Sequence, residues 1–272
     1  TLEDVDKLNS FLRRHNGFYA IIASEGNCLI AAVDRSRSIP LFYGQARNRF
    51  FLSDDAEWVR QQVGDREMDP VAREEFQLAG YVTGRDTLYP NVKQLQAGEL
   101  LVASQHGNEM VVRHSRYYRF RHRKVNQHDH PALLERLDQA AVLSVQRLID
   151  YAGGRQIAIP LSGGYDSRLI ATLLKRLRYP NVTTFSYGAR ESKESRISKW
   201  IAESLGFEWK FVEYSEKSLR HAWMSDEADH YRRYAANHAS LPHVQDWFAI
   251  KQLVEQGALK FDAVVAPGHC CV

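Results

Sequence analysis

Cysteine is scarce in this chain. Its 272 residues include three, Cys28, Cys270 and Cys271. Three cysteines make no disulfide framework and fit a reducing compartment. Long apolar runs are absent as well, and none approaches the ~18 residues that a membrane span needs. No charged-then-apolar leader opens the chain, so nothing suggests secretion, and a cytoplasmic location is the expectation. Charge of one sign is not in excess. The 36 Lys and Arg against 33 Asp and Glu leave +3, which implies neither nucleic acid nor a membrane surface by itself. No internal repeat or low-complexity segment is visible. The 44% apolar and 25% charged content is that of a globular protein, and the length suffices for two domains with a core each.

Two patterns divide the chain. The first part reads as antiparallel strands with few helices, which predicts a layered α+β domain. Phe18–Ala23 and Cys28–Val33 flank a hairpin turn, as do Leu41–Gly44 with Arg49–Leu52, and Glu99–Ala103 with Met110–Arg113. Helical patterns fit Leu2–Arg14, Asp55–Gln62 and Pro70–Ala79. The second part alternates. Helix Pro131–Tyr151 precedes strand Gln156–Leu161, helix Arg168–Leu177, strand Val182–Tyr187, helix Ser195–Leu205 and strand Glu208–Glu213. Helices Leu219–Ala236 and Val244–Gln256 and a strand over Asp262–Ala266 follow. Such alternation predicts a parallel sheet covered on both faces, with ligands beyond the carboxyl ends of its strands.

Between the parts the chain is basic, with Arg116, Arg119, Arg121, Arg123 and Lys124 among Tyr117, Tyr118 and Phe120. Aromatics among arginines can stack on nucleic acid. A linker whose aromatics are pinned to a neighbouring domain is the preferred reading, so no nucleic-acid partner is expected. His128-Asp129-His130 is a weak metal pattern, and a helix cap ahead of Pro131 explains it better.

The stretch richest in chemistry is Ser162-Gly163-Gly164-Tyr165-Asp166-Ser167, directly after Ile157-Ala158-Ile159-Pro160-Leu161. A strand feeding a Ser-Gly-Gly loop and then a helix is a pyrophosphate-binding arrangement. The glycines let backbone N–H groups approach a phosphate, and the helix adds unpaired donors and its positive end. Ser162, Gly163, Gly164 and Ser167 form the cradle in this reading. An Asp beside an anion calls for a cation between them, so Asp166 is the candidate Mg²⁺ ligand. The bland alternatives are a plain strand-to-helix turn and, for Asp166, a helix N-cap. Arg168 has two readings, a phosphate contact or a solvent-facing side chain.

The loop resembles the PP-loop of the ATP pyrophosphatases, and the likeness extends along the chain to the asparagine synthetases. Gly17-Phe18-Tyr19-Ala20 and the run Ala32–Tyr43 are similar to the N-G-x-F-A and R-D-x-x-G-x-x-P-L-Y-Y segments of that family's glutaminase domain. Ser53-Asp54-Asp55 stands where the family has A-S-E. Gly80-Tyr81-Val82, Thr87-Leu88-Tyr89 and Leu95-Gln96-Ala97-Gly98-Glu99 follow in family order. The resemblance implies an incomplete Ntn-hydrolase-like α+β domain over residues 1–115, lacking its nucleophile half, and a linker over 116–130. It then implies an α/β, Rossmann-like PP-loop synthetase domain over 131–272. ATP and Mg²⁺ are the implied cofactors, and a small carboxylate, aspartate or a sugar carboxylate, is the implied acceptor. A homodimer is left open. Ser186, Tyr187 and Gly188 match the segment that holds adenine and ribose, largely through backbone groups. Ala239–His243 falls at the acceptor side, and Asp226, Glu227 and Asp229 fall near the amide-forming centre.

The chain also departs from the family pattern. No N-terminal Cys nucleophile or glutamine-holding segment precedes Asn16, and the run begun by Gly268-His269 continues as Cys270-Cys271-Val272 instead of reaching the family's second acidic metal ligand. The expectation is therefore an ATP-dependent amide-forming ligase that is incomplete as given. Its alternatives are a non-catalytic nucleotide-binding remnant and a tRNA-modifying ATP pyrophosphatase.

Overall fold

The computed structural model describes residues 4–107, 109–122 and 129–268. They form two compact units, one of Thr1–Arg123 with Asp229–Pro242 and one of Lys124–Ala228 with His243–Val272.

The first unit opens with α1 (Val5–Arg14), whose start is capped by the Asp4 carboxylate accepting from the Lys7 N–H at 3.1 Å. Strands β1 (Ala20–Glu25) and β2 (Cys28–Val33) make a hairpin. The next hairpin, β3 (Phe42–Ala46) and β4 (Arg49–Ser53), turns on Arg47 and Asn48, both at positive φ, as a two-residue loop of this hand demands. Helices α2 (Ala56–Val63) and α3 (Pro70–Ala79) start on Asp55 and Asp69 side-chain caps and stop on Gly64 and Gly80 in the left-handed region. Short β5 (Lys93–Gln94) precedes the long hairpin β6 (Glu99–His106) and β7 (Glu109–Arg116).

The strands pair in two antiparallel sheets, β1-β2-β6-β7 and β4-β3-β5. Alternation along β2 and β6 sends Ile30, Ala32, Leu100 and Val102 to one face, against Leu12 of α1. It sends Ala31, Val33, Leu101 and Ala103 to the other, against Leu41, Tyr43 and Leu95. The larger sheet is thus buried on both faces, which is why its central strands read as continuous apolar runs.

Asp34 organises the loop after β2. Its buried carboxylate accepts from the Ser36 N–H at 2.8 Å, the Ser38 N–H at 2.9 Å and the Ser38 hydroxyl at 3.2 Å. Arg37, at the pattern's glycine position, keeps a glycine-like φ of 56°. Glu99, fully buried, accepts from Arg85 Nε at 2.9 Å and from the Gln96 N–H at 2.7 Å. Tyr117 lies in the core and donates its hydroxyl to the Val33 carbonyl at 2.7 Å, so it has no free face for a base. Arg116 bonds Gln96 and Ala97. Arg123, Lys124 and His128 lie outside the described residues.

In the second unit, α4 (His130–Ala152) takes its cap from Asp129, which accepts from the Ala132 N–H at 3.3 Å. Then come β8 (Ile157–Pro160), α5 (Tyr165–Arg176), β9 (Val182–Gly188), α6 (Lys193–Leu205) and β10 (Glu208–Glu213). They are followed by α7 (Glu216–Trp223), by α8 (Asp226–Ala236), whose residues from Asp229 onward belong to the first unit, and by α9 (Val244–Glu255) and β11 (Val264–Val265). The sheet is parallel throughout, in the order β10-β9-β8-β11. Ile157, Ile159 and Leu161 pack on the α4–α5–α6 side. Ala158, Phe185 and Val212 pack against Ala222 of α7 and Phe248, Ala249 and Leu253 of α9.

The expected helix over 219–236 is two helices. Ser215 and Ser218 form a capping box that starts α7 early, and Ser225 restarts the chain by accepting from the Ala228 N–H at 3.2 Å. The strand expected over 262–266 shortens to Val264 and Val265, with the Ala266 N–H still donating to the Ala158 carbonyl at 2.9 Å.

Candidate functional site

The sheet order places the chain reversal between β8 and β11, with the Ser-Gly-Gly loop on the carboxyl end of β8. In open sheets of this kind ligands bind in that crevice. The loop is strutted from below. Ser167, 3% exposed, accepts from the Ser162 N–H at 3.1 Å, and the two hydroxyls lie 3.2 Å apart. The Gly164 N–H meets Ser162 Oγ at 3.2 Å. From the far side, Gly268 closes on the same point. A Cβ there would lie 2.3 Å from the Ser167 N and 2.6 Å from its Cα, so no side chain fits at this crossing of two backbones.

Helix α5 begins at Tyr165, three residues ahead of the sequence expectation. Its N-cap is Gly164, with φ −76° and ψ 178° and no side-chain cap bond. The bland reading of Asp166 as the cap therefore fails. It is an exposed carboxylate in the first helical turn, where a negative charge favours the helix dipole.

The Ser186–Gly188 segment lies beside this loop. Pro160 pairs with Phe185, and the Leu161 N–H donates to the Phe185 carbonyl at 2.8 Å. The Ser186 hydroxyl is turned inward, donating to the Leu161 carbonyl at 2.7 Å, with Ser198 Oγ 2.6 Å away and the Trp209 indole N–H donating to it. Gly188 sits at φ 129°, a conformation that requires glycine, and its carbonyl accepts from the Tyr214 N–H at 2.8 Å. Glu191 and Glu194 are both exposed, Glu194 in the first turn of α6.

Sequence reasoning missed a tie between strand ends and α9. The Tyr187 hydroxyl donates to Asp246 Oδ1 at 2.6 Å, and its ring stacks on Tyr214 with centroids 4.9 Å apart. Burial, then the Asp246 bond, pushes the Tyr187 phenol well above its ordinary range. His243 Nδ1 lies 3.6 Å from Asp246 Oδ2. The only sequence signal was an aromatic residue at the carboxyl end of two neighbouring strands. Ala239 and Leu241 are bonded within the first unit, to Val82 and Gly80 respectively. Asp226 and Glu227 lie at the start of α8, where Glu227 pairs with Lys251, and Asp229 pairs with Arg232 and Arg233. His269, Cys270 and Cys271 lie outside the described residues.

The fold and loop together define a class, that of proteins with a parallel sheet whose central strand feeds a Ser-Gly-Gly loop and then a helix. The comparisons narrow it. A glutamine amidotransferase domain model matches residues 7–118 and an asparagine synthase model matches residues 136–245. In this order they give the chain an asparagine synthetase-like architecture. No curated protein matches it. Among solved structures, the NH3-dependent NAD synthetase of Campylobacter jejuni, in complex with nitrate, is similar at 19% identity and a TM-score of 0.35 over 50% of this chain. The match spans 56% of that protein's length.

Proposed function

We propose that this chain binds ATP over the Ser162–Ser167 loop, as the nucleotide-holding part of an ATP-dependent, amide-forming ligase of the asparagine synthetase type. One observation carries the reading. Neither Gly163 nor Gly164 needs to be glycine for the fold. Neither has a positive φ, a Cβ on Gly163 would make ordinary contacts of 3.7 Å with Ile197, and one on Gly164 would meet only Ser162 Oγ, at 3.3 Å. Side chains missing where the fold tolerates them are explained by a ligand that must come close to the backbone.

In this chemistry an acceptor carboxylate oxygen attacks the α-phosphorus of ATP. The bond to the bridging oxygen breaks, pyrophosphate leaves, and ammonia then displaces AMP from the acyl carbon. The N–H groups at the head of α5 and its dipole face the charge that builds on the leaving pyrophosphate. The adenosine lies along the backbone of Ser186, Tyr187 and Gly188, since the Ser186 hydroxyl is engaged inside the fold. The acceptor is a small carboxylate, aspartate or a sugar acid.

Asp166 suits Mg²⁺ of one kind only. Among the described residues no three His, Cys, Asp or Glu side chains gather as a cage. A single exposed carboxylate fits an ion that keeps its waters and is completed by nucleotide phosphates. Bound there, Mg²⁺ would neutralise charge on the departing phosphates. Residues 1–115 are then an Ntn-type domain lacking its nucleophile half, of a kind whose family role is to supply ammonia.

Titration calorimetry with ATP, with and without Mg²⁺, on the parent and Asp166→Asn tests this. The variant is expected to lose most of the Mg²⁺-dependent gain while its metal-free binding stays unchanged. Equal affinities in all four titrations would remove the metal role.

A further inference from the structure

Arg168 has the wrong charge for its place. It lies in the first turn of α5, where the helix presents its positive end, and a cation there is disfavoured by ~0.3–1 kcal/mol. The basic residues at the other end of the helix, Lys175 and Arg176, follow the rule that Arg168 breaks. Side chains on a helix lean toward its N-terminus, and Arg168 does so fully. Its Nη2 donates to the Gly163 carbonyl at 2.9 Å, and its guanidinium stands 5.3 Å from the ring centroid of Tyr165, itself 83% exposed. Nε is buried and has no hydrogen-bond partner among the described residues. Asp166 is two residues away along the helix, a spacing that does not bring side chains face to face.

Three features thus coincide at one guanidinium: an unfavourable dipole, a buried donor without a partner, and a latch onto a carbonyl of the glycine loop. An anion resting on the loop would correct the first two and compete with the third. We propose that Arg168 reads the phosphate charge of the ligand. It is latched to the Gly163 carbonyl while the loop is empty and turns its fork onto the terminal phosphates of a bound polyphosphate. This rests on the nucleotide reading of the loop. It makes Arg168 the residue that favours a pyrophosphate-bearing ligand over a monophosphate. It also makes Arg168 part of what retains pyrophosphate after the α–β bond has broken.

The test uses inorganic pyrophosphate and AMP as calorimetric probes on the whole chain, with Arg168→Met, Arg168→Lys and Gly164→Ala as variants. Arg168→Met keeps the apolar stem of the side chain. It is expected to bind pyrophosphate ~10–100-fold more weakly, the range of one charge-assisted hydrogen bond, while AMP affinity changes less than about 3-fold. Arg168→Lys should fall between, because it restores the charge without the planar fork. Without ligand, Arg168→Met should melt close to the parent, since relief of the dipole penalty offsets the lost bond to the Gly163 carbonyl. Equal losses for both probes, or a ligand-free Arg168→Met that melts well below the parent, would make Arg168 a strut and overturn the inference. Pyrophosphate binding that survives Arg168→Met but is lost in Gly164→Ala would overturn the inference and leave the loop reading standing. A parent that binds neither probe would overturn both.

Discussion

Replacing Gly164 with alanine separates the ligand from the fold. The perturbation is one methyl group. At φ −76° and ψ 178° an alanine is unstrained, and its Cβ meets only the Ser162 hydroxyl oxygen at 3.3 Å. That oxygen has to give by a few tenths of an ångström, against its contacts of 3.2 Å with the Gly164 N–H and with Ser167 Oγ. Two effects on stability oppose each other. Fewer unfolded conformations stabilise by ~0.4–1 kcal/mol. Glycine is a better N-cap than alanine, so the exchange costs ~0.5–1.5 kcal/mol. The balance is within about 1 kcal/mol of zero, a melting shift of ~2–4 °C at most for a domain of this size. Binding should respond very differently. A methyl standing over the head of α5 holds a phosphate off the backbone donors. Losing one or two charge-assisted bonds of ~1.5–3 kcal/mol each weakens ATP by at least ~10-fold. Thermal melts and ATP calorimetry on the same sample read both quantities. ATP affinity within a factor of about 2 of the parent, with stability intact, would refute the cradle, because the missing side chains would then serve nothing.

Two further predictions concern the first unit. Arg85→Met should destabilise it by ~3 kcal/mol in urea unfolding, because Glu99 would remain fully buried with its charge unpaired. Exchanging Glu99 for Met as well should recover most of that loss, and a double variant as unstable as the single one would contradict the pairing. His114 is held below the ordinary histidine range, first by burial and then by Arg85, and its Nδ1 has no hydrogen-bond partner among the described residues, with Glu99 Oε1 3.9 Å away. Its folded pKa is below its unfolded value of ~6.5. The unfolded chain therefore binds the extra proton, and stability is full above ~6.5 and falls as pH drops below it. His114→Gln should flatten that fall, and an unchanged pH profile would show that another group governs it.

The sequence was most readable where a local signal dictates local structure. The β1–β2 turn at Gly26-Asn27, the Asp69-Pro70 start of α3 and the Gly206 end of α6 fell where short-range chemistry put them. The alternation that announced a parallel sheet worked because its central strands, β8 and β9, are buried on both faces. Boundaries failed where serine competed with the helical pattern, as at Ser215 and Ser225. They failed again where the glycine loop was tighter than expected and α5 began at Tyr165. The loop itself was legible because its residues are contiguous. Pairings between distant residues were not. Nothing in a single sequence joins Arg85 to Glu99, Tyr187 to Asp246, or Gly268 to the backbone of Ser167. Arg37 hid the turn it occupies, since its φ of 56° is one a glycine would have advertised.

Everything proposed for the second unit depends on the head of α5 being a phosphate site. A crystal structure of the chain with ATP and Mg²⁺ tests it most directly. Phosphate oxygens are expected at about 3 Å from backbone nitrogens of the Gly163–Ser167 segment, with Asp166 facing the metal and the adenosine along Ser186–Gly188. Nucleotide density elsewhere, with this loop empty and Arg168 still bonded to the Gly163 carbonyl, would contradict it.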